Sequence, residues 1–207
     1  MKSQNLGVMT KMSKTESENS PDSSYLPTQF QDWFSSKGWG VYPHQLSLIS
    51  HLKEGNSCLL IAPTGSGKTL SGFLPSLIEL SKQASENRTE PFLHTLYISP
   101  LKALAVDVHR NLQTPIAEMG LEISCETRTG DTGQTKRNRQ KTAPPNILLT
   151  TPESVELMLA WPEAAFYFSK LSAVIIDEIH TVIGNKRGDL LSLSLASLRV
   201  CAPNAAF

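Results

Sequence analysis

An excess of charge is the first thing missing from this 207-residue sequence: nineteen Lys and Arg balance nineteen Asp and Glu. A broadly basic surface for polyanions is therefore excluded, and any positive patch has to be local. Cysteine is scarce. Cys58, Cys125 and Cys201 lie far apart with no ligand spacing, which excludes a disulfide framework or a cysteine-zinc cluster and predicts reduced thiols. No apolar run approaches membrane-spanning length, and the first residues carry no apolar core of a secretory signal. A soluble, cytoplasmic chain with no membrane partner is the expectation. Internal repeats are also absent. What remains is 40% hydrophobic and 18% charged, the balance of a globular protein, in a chain long enough to bury a real core.

The rest of the chain is organised around Leu59-Leu60-Ile61-Ala62-Pro63-Thr64-Gly65-Ser66-Gly67-Lys68-Thr69. The apolar run after Cys58 predicts a buried strand, the Gly-rich stretch a turn, and Leu70 to Leu80 a helix. Strand, glycine loop, Lys-Thr and helix make a phosphate cradle. Glycines let backbone N–H groups close around phosphate oxygens, and the opening helix turn adds its positive dipole end. Lys68 would reach the outer phosphates of a nucleotide such as ATP, and the Thr69 hydroxyl would sit on Mg²⁺. Thr64, Gly65, Ser66 and Gly67 are the loop itself. Ala62 stands where the usual pattern begins with glycine.

Met1 to about Ser24 is polar and rich in Ser, Lys, Glu and Asn, and reads as a disordered lead-in, residues 1–24. Structure is expected from Leu26, with Phe30, Trp33 and Phe34 at helical spacing and a second helix opened by Pro43. These aromatics and Trp39 read as packing residues for the first helix in preference to a base-stacking platform, while an aromatic near Gln45 could stack on adenine, none being singled out. Ser81 to Glu90 reads as a polar connection. Strands are predicted at His94–Ser99, Leu121–Thr127, Asn146–Thr150 and Ala173–Asp177. Helical patterns cover Pro100–Met119, kinked or split at Pro115, then Thr135–Lys141, a stretch opened by Thr151-Pro152-Glu153, and Gly188–Val200. Nearly all-apolar strands alternating with helices predict an α/β fold, a mostly parallel sheet with helices on both faces. Ligands of such sheets sit at the carboxyl ends of strands, where the polar signatures here fall. Asp177 and Glu178 follow the most apolar strand, so they can face the phosphate loop across the sheet edge. One carboxylate there can hold Mg²⁺ through its water shell, and its neighbour can polarise the attacking water.

Ala62 to Thr69 followed by Asp177-Glu178-Ile179-His180 resembles motifs I and II of superfamily 2 helicases, whose fold is the RecA-like P-loop NTPase. Other signatures come in the family's order: Gln45 for the Q motif that reads adenine, Ser99 to Ala105 for motif Ia, Arg128-Thr129-Gly130-Asp131 for the Gly turn, and Thr151-Pro152-Glu153 for motif Ib. Lys186-Arg187-Gly188-Asp189-Leu190 resembles the Lhr-type group, and the wording from Leu93 to Asp131 the ligase-associated DEXH-box helicases of bacteria.

The resemblance implies an ATP- and Mg²⁺-dependent helicase acting in bacterial DNA repair. Its partners would be a single-stranded or tailed duplex nucleic acid, DNA before RNA, and a repair ligase or nuclease. Motifs Ia, Ib and the Gly turn would line a path for one strand, contacting phosphates. Pro100, Lys102, Arg128, Gly130, Thr151, Pro152 and Glu153 are the candidates, and His180 would link the γ-phosphate to them. Pro100 and Thr151 open helices whose N-termini can bind phosphate without net charge. Lys136, Arg137, Arg139 and Lys141 form a basic face that reads as solvated surface. Residues 25–207 are expected to form the first RecA-like domain, ending before motif III, without the second domain and its arginine finger. Little turnover is then expected of this chain by itself. An RNA helicase of the DEAD-box type and a non-catalytic nucleotide- or nucleic-acid-binding module are the alternatives.

Overall fold

A computed structural model describes residues 26–63, 65–84 and 90–207. The predicted lead-in, Thr64 and the middle of the connection after residue 84 lie outside the described residues. By internal contacts the chain divides into two units, one ending at Glu79 and including Ala206, the other running from Leu80 to Ala205 and including Phe207.

The first unit is helical. Helix α1 (Thr28–Ser36) buries Phe30, Trp33 and Phe34, the i, i+3, i+4 stripe read from the sequence. Trp39 is more than half exposed and meets Trp33 edge-on. Helix α2 (Pro43–Lys53) starts on proline, whose missing N–H costs nothing at a first helical position, and buries Gln45, Leu46 and Ile49. Helix α3 (Lys68–Ala84) follows the glycine loop. The predicted strand at Leu59–Ile61 does not form: Cys58 makes an isolated bridge, and Leu59 and Ile61 are 47% and 55% exposed. An apolar run becomes a strand only when a neighbouring backbone takes up its N–H and C=O groups, and 59–61 has no ladder partner among the described residues.

The second unit is a four-stranded parallel sheet in the order β2-β3-β1-β4, with β1 at Thr95–Ile98, β2 at Cys125–Arg128, β3 at Ile147–Thr150 and β4 at Ala173–Ile176. The register sets Ile98 opposite both Thr150 and Ile176, and Arg128 opposite Thr150. All four strands therefore end on one edge. Alternation divides the two faces. Leu96, Ile98, Leu148 and Val174 join one core with Val155 and Met158 of α6 (Pro152–Leu159), Phe168 of α7 (Ala164–Phe168) and Leu191 and Leu198 of α8 (Lys186–Cys201). Helix α4 (Lys102–Glu118) packs on β2 and β3 through a stripe of Ala105, Val108, Leu112 and Ile116. It continues past Pro115 to Glu118 without splitting, since a proline one turn from the end removes a single backbone hydrogen bond. Helix α5 (Gln134–Thr142) completes the set. No helix among the described residues is long and apolar enough to cross a membrane.

Candidate functional site

The loop before α3 is built from its glycines outward. Gly65 and Gly67 take φ +78° and +73°, the left-handed region where a side chain is strained. At Gly67 space is also restricted: a Cβ there would lie 3.2 Å from Gln45 Nε2 and 3.7 Å from two ring atoms of Tyr42. Gln45 is 2% exposed, and its Oε1 accepts the Tyr42 amide at 2.9 Å, so its Nε2 is held toward the loop. The predicted adenine reader and the predicted phosphate loop thus meet within one unit. Lys68 begins α3, and its Nζ donates to the carbonyls of Ala62 (2.6 Å) and Pro63 (2.9 Å). The ammonium is therefore already drawn over the loop by neutral acceptors, which a phosphate would outcompete by charge. Ser66 Oγ donates to Pro63 O at 2.7 Å. Thr69 is exposed.

Two neighbours of this loop carried no signal strong enough to single them out. The Tyr42 ring stacks on His44 at 5.3 Å and is half exposed beside Gly67, which makes it the aromatic side chain best placed near the loop. Burial lowers the His44 pKa from its ordinary value, opposed by a hydrogen bond with the Ser66 backbone, so the ring is neutral at pH 7. Helical spacing drew attention to Phe30 and Trp33 instead, and they are core.

In the second unit, Asp177 continues β4. Its Oδ2 accepts the Tyr97 hydroxyl at 2.6 Å and its Oδ1 accepts the Glu178 amide at 2.9 Å. Burial first, and then the Asp177 hydrogen bond and charge, push the Tyr97 phenol far above its ordinary pKa, which keeps it a donor. Glu178 has φ +50°, the one non-glycine residue with positive φ among the described residues. An αL glutamate costs about 1 kcal/mol, a strain that concentrates at functional sites. It turns the chain into a single 3-10 turn, Ile179–Thr181, and brings Glu178 Oε2 within 3.3 Å of His180 Nδ1.

The strand-end loops of this unit hold the residues expected to face nucleic acid. Lys102 Nζ pairs with Asp131 at 2.9 Å and lies over Gly130, where a Cβ would come within 3.2 Å of it. Pro100, Thr151 and Pro152 are buried, with Thr151 Oγ1 near Ser154 Oγ at 3.2 Å. The first helical residue of α4 is Lys102, and its N-cap Leu101 supplies no side-chain cap. Arg128 departs from the expected surface contact. It is 9% exposed, its Nη1 donates to Arg137 O (3.0 Å) and lies near Gln140 Oε1 (3.4 Å), and its guanidinium stacks over Trp161 at 4.8 Å. A cation ending a parallel strand is buried when a following helix offers carbonyls to it, and α5 does so. The basic face of α5 is also engaged: Lys136 and Arg139 pair with Glu126, Lys141 with Glu163, and Arg137 clamps Thr129 O and Gly130 O.

Arg187, known from the sequence only as part of the Lys186–Leu190 text, ties two of these loops together. Its Nε donates to Glu153 Oε1 and its Nη2 to Pro100 O, each at 2.7 Å. No cluster of His, Cys, Asp and Glu suited to a metal occurs among the described residues. A water-shell Mg²⁺ held by a single carboxylate needs none.

Residues 42–206 match the family model described as DEAD/DEAH box helicase. The chain is 42% identical over 183 residues to ATP-dependent helicase Lhr-Core of Methanocaldococcus jannaschii, covering 84% of this chain and 22% of that protein. It is 39% identical over 202 residues to the Lhr helicase/uracil glycosylase of Escherichia coli, covering 87% and 13%. Among solved structures, Mycobacterium smegmatis helicase Lhr bound to ssDNA and AMP-PNP matches with a TM-score of 0.79 and 37% identity, over 89% of this chain and 24% of that one.

Proposed function

Because the chain belongs to the DEAD/DEAH box helicase family, we propose that it is an ATP-binding RecA-like module of an Lhr-type helicase, working on a single nucleic-acid strand, DNA in preference to RNA. The observation that carries this reading is the loop in which Gln45 is closed on left-handed Gly67 while Lys68 is drawn across the Ala62 and Pro63 carbonyls. The AMP-PNP and ssDNA of the mycobacterial structure support both ligands.

Lys68 exchanges its carbonyl partners for phosphate oxygens, with Gly65, Ser66 and Gly67 presenting the backbone around them. Gln45 discriminates the adenine edge. The family resemblance gives Mg²⁺ to Thr69 and to Asp177, and the ion when bound would screen phosphate charge; each taken within its own unit, an exposed hydroxyl and a carboxylate oriented by Tyr97 suit a hydrated cation. Glu178 accepts the proton of the attacking water, and His180, 3.3 Å from it, passes the state of that carboxylate onward. Lys102 and the backbone at Pro100, Gly130, Thr151, Pro152 and Glu153 grip strand phosphates. A setting in DNA repair, a ligase or nuclease partner and a bacterial cytoplasmic location belong to this proposal and rest on the sequence resemblance. The chain spans about a fifth of the archaeal relative, so strand separation is proposed for a whole protein of that kind.

Equilibrium binding of ATP with Mg²⁺ to this chain and to Lys68→Ala tests the reading. Loss of charge-assisted phosphate contacts should weaken binding about tenfold to a hundredfold. Equal affinity of the two, or no saturable binding by the unaltered chain, would overturn it.

A further inference from the structure

A carboxylate stands in the proposed strand path. Glu153 is the first residue after Pro152 in α6, at the sheet edge where phosphates are to be gripped, and its side chain is about half exposed. Burial raises its pKa, but the Arg187 hydrogen bond, its own backbone amide and the Thr151 hydroxyl together outweigh this and lower it, so it is ionised at neutral pH. A fixed negative charge beside a phosphodiester is repulsive, and at half-exposed positions that repulsion is only partly screened. The one cation on this carboxylate among the described residues is Arg187. The same guanidinium bonds the Pro100 carbonyl at 2.7 Å, so it also fixes the turn that opens α4.

The base of Arg187 is rigid. Asn185 caps α8, accepting the amides of Arg187 (2.9 Å) and Gly188 (3.2 Å), and its Nδ2 donates to Thr181 O at 3.1 Å. Thr181 Oγ1 in turn donates to Glu178 O at 2.8 Å. A continuous hydrogen-bonded path thus runs from the strained carboxylate turn to the two strand-end loops.

We propose that Arg187 is a positioning residue for the nucleic-acid strand: it cancels the charge of Glu153, so that a phosphate backbone can lie on this edge. The inference rests on the nucleic-acid reading above. In it Arg187 acts on the strand through Glu153, and not as a phosphate ligand itself.

The test is fluorescence anisotropy of a labelled oligothymidylate at low salt with the full 207-residue chain and three variants, each checked for an unchanged melting curve. Arg187→Met leaves Glu153 uncompensated and should weaken binding about five- to tenfold. Glu153→Gln, a same-sized change that keeps the backbone gripping phosphate and removes only the negative charge, should bind more tightly than the unaltered chain. The double variant should return to within about twofold of it, since net charge at the site is restored. A double variant as weak as Arg187→Met overturns the inference, because the guanidinium is then contacting phosphate directly. Unchanged affinity in Arg187→Met also overturns it. If the unaltered chain binds no oligonucleotide, the nucleic-acid reading falls and this inference with it, an outcome distinct from failure of rescue alone. Should Arg187→Met not fold, weaker binding by Glu153→Gln than by the unaltered chain would decide against the proposal.

Discussion

Tyr97 lies in the core of the sheet, 1% exposed, and its hydroxyl donates a hydrogen bond to Asp177 Oδ2 at 2.6 Å. Asp177 carries a role in the proposed chemistry, and this bond, with the Glu178 amide on Oδ1, orients its carboxylate. Removing the hydroxyl leaves a half-buried carboxylate with one partner fewer, although water can reach it from the sheet edge. Tyr97→Phe should therefore cost about 1 kcal/mol of stability, the net worth of one such hydrogen bond, with little change in packing volume. Urea unfolding followed by circular dichroism measures this. A loss above about 3 kcal/mol would mean that the carboxylate is cut off from water and the bond is structural first. Residues of this kind were not legible from the sequence. Tyr97 and Asp177 are eighty positions apart, and Arg187 and Pro100 are eighty-seven apart. No local period or spacing marks such pairings. Gln45, Lys68 and Gly67, by contrast, sit on the flanks of one loop, and their grouping followed from order along the chain.

At the scale of elements, the start of α8 is the tightest joint. Gly188 has no room for a side chain: a Cβ would lie 2.2 Å from the Val182 carbonyl oxygen and 3.0 Å from its carbon. Both are backbone atoms, which cannot rotate away. Gly188→Ala should force the helix start outward at a cost of about 1–3 kcal/mol. It should also move Arg187 off Pro100 and Glu153. Chemical denaturation reads the first effect, and an unchanged midpoint would mean that the turn relaxes freely. The helices and the four paired strands were legible because each carries its own period: Phe30, Trp33 and Phe34 for α1, and Ala105, Val108 and Leu112 for α4. Two kinds of element were not. The segment Ala164–Phe168 is too short for a helical period to emerge after Pro162. Leu59–Ile61 has the composition of a strand, but pairing depends on a partner that composition does not name. The left-handed turn at Glu178 likewise had no residue-type signal, since glycine is what such a φ leads one to expect.

At the scale of the whole molecule the zero net charge becomes a constraint on how a strand is held. Most cations near the sheet edge are already engaged: Lys102 by Asp131, Arg187 by Glu153, Lys136 and Arg139 by Glu126, Lys141 by Glu163, and Arg128 by carbonyls and Trp161. On the proposed nucleic-acid reading, phosphates would then be bound largely by backbone amides at the starts of α4 and α6, with Lys102 released from Asp131 as the chief ionic contact. Amides carry no counterion to displace, whereas each phosphate neutralised on a single strand contributes about 0.7 to the slope of log affinity against log salt. Two or three such neutralisations give a slope of about −1.4 to −2.1. Anisotropy titrations of the same oligothymidylate from low to physiological salt should fall in that range. Lys102→Ala should flatten the slope by about 0.7 and lower affinity at every salt concentration below the crossing point. A slope steeper than about −4 would require six or so phosphates held by free cations. In that case the ion pairs of α5 must open on binding, and the basic face of Lys136, Arg137, Arg139 and Lys141 would be part of the strand path after all.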